Sequence, residues 1–205
     1  MQDAVWAVVV ARVGNGAKSR LASVLEPEER RRLALSMLRD VLEACARSRD
    51  VLDGLIAVVD DPSARWLAES RGAICLDDPV PGSMNAAAAA GVDAALARGA
   101  STVVILPGDI PRLSHADFLE LLSAADDAPR AIVVGASRDG GGTNALLLRP
   151  PDVIAPAFGP PSVARHVRLA RAAGAVPCVL TGLALAFDVD TTADFAELMR
   201  VGATS

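Results

Sequence analysis

The chain has 205 residues, of which 52% are apolar and only 3% aromatic, and it carries a formal net charge of −5. This length suits one domain, so we predict a single domain over residues 1–205 with a core of Val, Leu, Ile and Ala. A charged fraction of 22% argues against disorder. The acidic balance, without a long basic run, argues against a nucleic-acid partner.

The cysteines and the apolar stretches indicate the cellular compartment of the protein. The three cysteines lie far apart and form no Cys-x-x-Cys pair, which is typical of buried thiols in a reducing cytosol. No signal peptide precedes the first apolar run. The alanine-rich stretch from Met84 to Ala97 is too short to span a bilayer, which needs ~20 apolar residues. We therefore expect a cytoplasmic protein with no membrane partner.

The first half of the chain alternates between short apolar runs and helical patterns. Residues 5–11 (VWAVVVA) are rich in β-branched side chains and predict a buried strand. From Pro27 to Cys45, apolar residues recur at spacings of three and four, which predicts an amphipathic helix. Further strands are predicted at residues 55–59, 73–76, 102–106 and 131–134, and further helices at 62–71, 85–98 and from Ser114. This alternation predicts a three-layer α/β/α fold in which helices cover both faces of a mainly parallel sheet.

The second half is less regular. The glycine-rich segment 137–144 precedes a strand predicted at residues 145–148, so a hairpin is expected within the region near 137–187. Helices are predicted from about Ser162 to Ala173 and from near Thr192. Short apolar runs predict two last strands, at residues 176–180 and 185–187.

The loop after the first strand holds the first candidate site residues, because open parallel sheets bind ligands at the carboxyl ends of their strands. Lys18 is the only lysine among the 20 Lys and Arg residues. A compact ammonium coordinates phosphate as a point charge, so we interpret Lys18, with Arg20, as phosphate-binding; a solvated surface lysine is the ordinary alternative. Gly14 and Gly16 permit close approach of phosphate to the backbone, although the segment is neither a P-loop nor a Rossmann fingerprint.

Carboxylates follow two later apolar runs. Asp109 comes just after the run at residues 102–106, where it could hold Mg²⁺ or cap the next turn. Asp188 and Asp190 are two residues apart, so on an extended segment both side chains point to one face. Two like charges held together need a cation to compensate them, although Asp190 could also cap the last helix. These three carboxylates are our candidate metal ligands.

Two further segments could contact an anion. Residues 140–144 (GGGTN) read either as a flexible hairpin turn or as a backbone nest with the hydroxyl of Thr143. Residues 158–162 (FGPPS) contain Gly159 and lead into a helix, where Ser162 could cap the helix or help its free N–H groups attract phosphate. One turn further on, His166 could face the same pocket.

Read together, these residues resemble the 2-phospho-L-lactate guanylyltransferases of deazaflavin coenzyme F-420 biosynthesis, some of which use phosphoenolpyruvate or 3-phosphoglycerate. The resemblance runs from Trp6 to about Gly202, and its motifs are short but occur in a specific order. They are residues 18–21 (KSRL), 84–86 (MNA), 108–111 (GDIP), 142–145 (GTNA), 158–162 (FGPPS) with His166, and 188–191 (DVDT).

The resemblance implies a nucleotide-diphospho-sugar-transferase type of fold and a transfer of GMP from GTP. It implies that the phosphorylated acid contacts Thr143, Gly159 and Ser162. It implies that Asp109, Asp188 and Asp190 hold Mg²⁺ and that catalysis uses these residues together with Lys18. The nucleotide would contact Arg12, Gly14, Lys18, Arg20, Asn85 and Asp109. Arg12 stands where such families often have a second lysine, and Met84 where leucine is usual.

Other interpretations remain open from the sequence. A metal-dependent glycosyltransferase also places an Asp-x-Asp motif after a strand, but Asp109 with Lys18 fits activation of a triphosphate better. A catalytically silent nucleotide-binding subunit would have no reason to keep Lys18 and all three carboxylates. The expected partners are GTP and a small phosphorylated carboxylic acid, and a homodimer through the later hairpin is plausible.

Overall fold

The computed structural model describes residues 4–14 and 16–202, and of residues 201 and 202 only the backbone. One sheet takes strands from both halves of the chain. The strands are β1 (Val5–Ala11), β2 (Gly54–Val59), β3 (Ile74–Asp77), β4 (Thr102–Pro107), β5 (Ala131–Ala136), β6 (Thr143–Arg149) and β7 (Val176–Leu180).

Within the described residues, six α-helices connect or follow these strands: α1 (Pro27–Arg47), α2 (Pro62–Glu69), α3 (Met84–Leu96), α4 (His115–Ala124), α5 (Ser162–Ala172) and α6 (Thr192–Gly202). Their starts follow from local chemistry. Glu26 and Glu29 form a capping box ahead of α1, and Ser114 and Asp117 form another ahead of α4. Asp61 accepts hydrogen bonds from two backbone N–H groups at the start of α2. The helices and strands predicted up to residue 180 therefore occur close to their predicted bounds.

The strand predicted at residues 185–187 is wrong. The chain forms a 3-10 helix there instead, at Ala184–Ala186. Asn144 Nδ2 donates to the backbone carbonyls of Leu185 (3.1 Å) and Ala186 (3.2 Å), so a side chain satisfies groups that a neighbouring strand would otherwise take. A short apolar run does not distinguish a strand from a 3-10 helix, because its side chains are buried in either structure.

The strand order is β3-β2-β1-β4-β6-β5-β7, and β6 alone runs antiparallel to its neighbours. This confirms the α/β class and the mainly parallel sheet. The predicted hairpin is β5 and β6, which pair directly. Because β6 runs backwards, its first residue, Thr143, lies at the same edge of the sheet as the carboxyl ends of β1 and β4. Both hairpin strands are interior, so neither offers a free backbone edge to a second copy; the homodimer stays a prediction.

The core has one apolar layer on each face of the sheet. Alternate residues of β1 separate them: Ala7 and Val9 face the layer that contains α1 and α4, whereas Val8 and Val10 face the layer that contains α3. Helix α3 lies very close to the sheet. A Cβ atom on its Gly91 would lie only 2.3 Å from Val8 Cγ1, so no larger residue fits there.

No helix within residues 4–14 and 16–202 combines the length and the apolar character that crossing a membrane requires.

Candidate active site

The loop after β1 directs Lys18 into the molecule. Lys18 adopts a left-handed backbone conformation (φ 50°), which is uncommon for a residue with a side chain and is often found at functional sites. Its side chain is only 9% exposed, and its ammonium donates hydrogen bonds to Asp109 Oδ2 and, at 3.0 Å, to Asp190 Oδ1. Arg20 Nη1 reaches the other oxygen of Asp190 at 3.2 Å, from an exposed position. The only lysine in the chain therefore bridges two of the three predicted carboxylates.

The charge on Lys18 is held firmly. Burial by itself would lower the pKa of Lys18, but the charges of Asp109 and Asp190 and their hydrogen bonds outweigh it, so the pKa is raised. A lysine in this state is a permanent cation across the physiological range and is suited to bind an anion, not to transfer a proton.

The carboxylates come from two places in the chain. Asp109 follows the end of β4, and Asp188 and Asp190 follow the 3-10 helix at Ala184–Ala186. Val189, between the last two, is fully buried, so it anchors the segment from the opposite side. Asp188 accepts a hydrogen bond from Asn144 Nδ2 at 3.2 Å.

The environment of Asp188 shows that the three carboxylates act on one another. Burial raises the pKa of Asp188, and the nearby charges of Asp109 and Asp190 raise it further, against the lowering effect of the Asn144 hydrogen bond. A cation placed among these carboxylates would stabilise their charged forms, and so offset both the burial of Asp188 and its repulsion by Asp109 and Asp190.

These residues lie between two adjoining clefts. The first, about 560 Å³, is formed by the β1 loop and the tips of β1 and β4, and it contains Arg12, Lys18 and Asp60. The second, about 590 Å³, is formed by the β5–β6 turn and the start of α5. Each volume is that of a small-molecule site. The residues common to both linings are Arg20, Met84, Pro107, Asp109 and Asp190. Two ligands, one in each cleft, would therefore meet at these carboxylates.

The carboxylates suit a magnesium ion in their chemistry. Mg²⁺ takes oxygen ligands, commonly one or two carboxylates with phosphate oxygens and water. Nevertheless, within the part of the chain that the structure describes, no three Asp, Glu, His or Cys side chains are arranged to hold a metal as they stand. Lys18 now occupies oxygens of Asp109 and Asp190 and is the cation that balances them. The donor atoms and their charge suit the ion in type, but Lys18 holds them in this structure, so magnesium at this site stays a prediction.

The second cleft is lined by hydroxyl groups with little exposure. Thr143 is 7% exposed and Ser162 1% exposed, and their hydroxyl oxygens are 2.9 Å apart. His166 is fully buried behind them, with Nδ1 3.2 Å from Thr143 Oγ1. Thus His166 supports the cleft from behind and does not line it.

The 157–161 loop forms one wall of the second cleft and is held from two sides. Asn85 clamps Phe158, accepting from its N–H at 2.6 Å and donating to its carbonyl at 3.3 Å. Arg165 Nη1 donates to the carbonyls of Ala157, Phe158 and Gly159 at 2.9–3.2 Å. Gly159 has φ 96°, a conformation that strongly favours glycine, so the loop keeps a shape that a side chain would oppose.

The structure places the predicted nucleotide residues unevenly. Arg12, Lys18, Arg20 and Asp109 all line the first cleft. Gly14 is not among the residues lining either cleft; its N–H donates to Asp60 Oδ1 at 3.2 Å. Asn85 is likewise outside both linings, since its amide holds the 157–161 loop. Direct contact of Gly14 or Asn85 with a nucleotide stays a prediction.

The predicted acid-binding residues Thr143, Gly159 and Ser162 all line the second cleft. Ser162 does not cap α5: the residue before the helix is Pro161, and the Ser162 hydroxyl pairs with Thr143.

Sequence reasoning missed three polar residues near the clefts. Asp60 follows β2 and fixes the β1 loop by accepting from the N–H groups of Val13 and Gly14. Its position directly after a predicted strand could have identified Asp60 from the sequence. Arg138 lines the second cleft, and Arg165 holds the loop beside it. Nothing in their sequence distinguishes these two arginines from the others.

The α/β fold, with its mainly parallel sheet, is the fold found in nucleotide-diphospho-sugar transferases. The structure is similar to a protein from Desulfovibrio desulfuricans G20 provisionally described as a nucleotide-diphospho-sugar transferase, with a TM-score of 0.76 at 19% identity, covering 98% of this chain and 88% of that one. At this identity the likeness concerns the fold alone.

The chain belongs to the guanylyl transferase CofC-like family, whose sequence profile matches residues 6–205. It is 46% identical over 202 residues to a phosphoenolpyruvate guanylyltransferase of Sphaerobacter thermophilus, covering 97% of this chain and 96% of the relative. It is 38% identical over 199 residues to a 3-phospho-D-glycerate guanylyltransferase of Phenylobacterium zucineum, covering 95% and 89%. The chain is thus a guanylyltransferase, and the predictions of family and enzyme class are confirmed over the glycosyltransferase and silent-subunit alternatives.

Proposed function

We propose that the protein transfers GMP from GTP to the phosphate of a three-carbon phospho-acid and releases pyrophosphate, as a step of coenzyme F-420 biosynthesis. The observation that carries this proposal is the junction of two clefts at Asp109 and Asp190, with Lys18 buried between them. One cleft takes the nucleotide and the other takes the acid. Among the three acceptors, phosphoenolpyruvate is favoured because the 46% identical relative bears its name.

The reaction needs positioning more than acid–base chemistry. A phosphate oxygen of the acceptor attacks the α-phosphorus of GTP and forms a new P–O bond. The bond from the α-phosphorus to the bridging oxygen breaks, and pyrophosphate leaves with that electron pair. The attacking oxygen is already ionised at neutral pH, so no general base is required. The protein must bring two polyanions together and balance their charge.

The cations of the first cleft meet the phosphates of GTP. Lys18, which stays protonated, and Arg20 now neutralise the carboxylates and would turn to the incoming phosphates. Arg12 is exposed at the rim of the same cleft and can contact the nucleotide without any rearrangement of the core. Charge on the departing pyrophosphate is thereby stabilised where it develops.

A magnesium ion held by the carboxylates would complete the charge balance. Asp109, Asp188 and Asp190 are the residues that would hold it, and when bound it would withdraw charge from the phosphate oxygens and align the two substrates. On the other side, the hydroxyls of Thr143 and Ser162 and the backbone near Gly159 offer neutral hydrogen-bond partners to the acid. An acceptor with several negative charges can therefore use these neutral groups together with Arg20 and Arg138, which also line this cleft.

A direct assay tests the proposal. Purified protein is incubated with Mg²⁺, each nucleoside triphosphate and each of phosphoenolpyruvate, 2-phospho-L-lactate and 3-phospho-D-glycerate. Pyrophosphate release is measured together with the mass of the guanylylated acid. We expect turnover with GTP and an acid, and none when either is omitted. Release of pyrophosphate that no acid stimulates would exclude this function.

A matched pair of variants assigns the reaction to the site. Asp109→Asn keeps the shape of the side chain and removes its charge, so we expect turnover to fall by about 10³-fold with folding retained. Asp152→Asn makes the same change at an exposed aspartate outside both clefts and should leave turnover unchanged. If Asp109→Asn keeps near-normal activity, the carboxylates do not hold the metal.

A further inference from the structure

A chain of three buried polar side chains runs from the back of the second cleft to its lining. His166 is fully buried, and its ring contacts two different groups. The backbone N–H of Ala157 lies 3.0 Å from Nε2, and Thr143 Oγ1 lies 3.2 Å from Nδ1. Thr143 Oγ1 in turn lies 2.9 Å from Ser162 Oγ. The reaction described above makes no use of His166.

The fixed donor at Ala157 sets the direction of both hydrogen bonds of the His166 ring. A backbone N–H can only donate, so Nε2 must accept and the ring proton must be on Nδ1. Nδ1–H then donates to Thr143 Oγ1, and the Thr143 proton is free to be donated to Ser162 Oγ, with either hydroxyl able to be the donor of that bond. When Thr143 donates to Ser162, the proton of Ser162 is the one that no group of the chain accepts, and Ser162 lines the cleft.

We propose that neutral His166 is a positioning residue which orients the hydroxyls of Thr143 and Ser162 so that Ser162 donates to an oxyanion of the acceptor. The proposal rests on the assignment of the second cleft to the acceptor. A hydroxyl that is held as a donor before binding loses less entropy and makes a better partner for a phosphate or carboxylate oxygen than a freely rotating one. The cleft thereby gains a directed neutral donor beside Arg20 and Arg138 of its lining.

The surroundings of His166 keep it neutral. Burial, together with the positive charge of Arg165, lowers the pKa of His166 to about 4. Phe158 presents its ring at an interplanar angle of 79° with centroids 5.4 Å apart, and adds no charge. Thr143 and the backbone of Ala157 are the remaining polar contacts. Arg165 is thus the charged group that faces the ring.

Two variants of His166 whose new side chains have the same shape as each other separate hydrogen-bond direction from packing. His166→Asn can place an N–H donor near the position of Nδ1 and so keep the direction of the chain. His166→Asp has the same shape but can only accept there when ionised, which would draw the Thr143 proton towards it and reverse the chain. Both variants leave the Ala157 N–H without its ring acceptor, but they differ in charge as well as in hydrogen-bond direction. Repeating the comparison in a Thr143→Val background separates the two, because an effect of direction passes through Thr143 and disappears there, whereas an effect of charge persists.

We expect the KM for the acceptor to be about tenfold higher in His166→Asp than in His166→Asn, with the KM for GTP equal in the two variants. His115→Asn alters the other histidine, far along the chain on α4, and should leave both KM values at the wild-type level. Equal acceptor KM values in the two His166 variants, while the wild type makes guanylylated acid, would overturn this inference and leave the proposed function standing.

A pH profile covers the case in which His166→Asp does not fold. As the pH falls towards 4, His166 gains a proton and can no longer accept from Ala157, so the wild-type acceptor KM should rise more steeply than that of His166→Asn. The acceptor phosphate also titrates in this range, but it does so equally for both proteins. Parallel profiles would overturn the inference. If wild-type protein transfers no GMP to any acid, it is the proposed function that fails.

Discussion

The two clefts present different groups to negatively charged ligands. The first lies over parallel strands and presents cations, among them Lys18 and Arg20, on the loop after β1. The second lies over the β5–β6 hairpin and adds hydroxyls and backbone to Arg20 and Arg138 in its lining, with Arg165 holding the 157–161 loop from behind. A cation attracts any phosphate, whereas a fixed hydroxyl or loop favours one shape. The difference suggests that the first cleft provides affinity for a triphosphate and the second provides selection among acids.

The largest effect is expected in the first cleft, at Lys18. We predict that Lys18→Ala lowers kcat/KM for GTP by about 10³-fold, because it removes a charge that must stabilise the pyrophosphate and leaves Asp109 and Asp190 unbalanced. Lys18→Arg keeps the charge but changes its shape, so its loss should be intermediate. Steady-state kinetics with varied GTP measures both. A Lys18→Ala protein with a near-wild-type rate would show that this cleft does not depend on its buried cation.

The second-largest effect concerns stability in the second cleft. The pKa of His166 is about 4 in the folded protein and about 6.5 when unfolded, so between these values only the unfolded chain binds the proton. The contribution of neutral His166 to the free energy of unfolding is complete above pH 6.5. It is lost as the pH falls towards 4, by up to about 3 kcal/mol. Urea unfolding at several pH values measures this. His166→Asn, which does not titrate there, should show a flatter dependence, and identical slopes would contradict the prediction.

The third effect separates the substrates. We predict that Arg165→Ala raises the KM for the acceptor by about tenfold and leaves the KM for GTP unchanged, because the 157–161 loop loses the donor that holds three of its carbonyls. Arg168→Ala removes an exposed arginine from the same helix and is the matched control. An equal rise in both KM values would mean that the loop does not belong to the acceptor side alone.

The smallest effect is expected at the outer support of Asp188. Glu197 accepts from Arg112 and Arg138, and both guanidinium groups lie over the ring of Phe187, which precedes Asp188. These groups are partly exposed, so solvent screens the pairs. Glu197→Gln should lower the Tm by less than about 4 °C and activity by less than about twofold. Glu120→Gln, an exposed residue of α4, is the control for a general effect of charge. A much larger loss of activity would show that the cluster positions the carboxylates.

The sequence was sufficient to predict those parts of the fold that local patterns determine. Apolar periodicity located the strands and helices up to residue 180, and the rule that ligands bind at strand ends singled out Lys18 and Asp109. The apolar pattern gave the wrong prediction at residues 185–187, because the carbonyls there accept hydrogen bonds from the distant side chain of Asn144. It also missed the clamp on Phe158 by Asn85, which joins residues 73 positions apart. Contacts of this kind depend on the folded chain and leave no periodic signal.

The reversed direction of β6 has a consequence for how acceptor preference can change. A parallel neighbour would need a long crossover connection to return to this edge, whereas the hairpin returns through the short segment from Ser137 to Gly142. Substitutions or insertions in that turn would reshape one wall of the second cleft while the register of the sheet stays intact. The turn is therefore the natural place to engineer an enzyme that accepts a larger acid without rebuilding its nucleotide side.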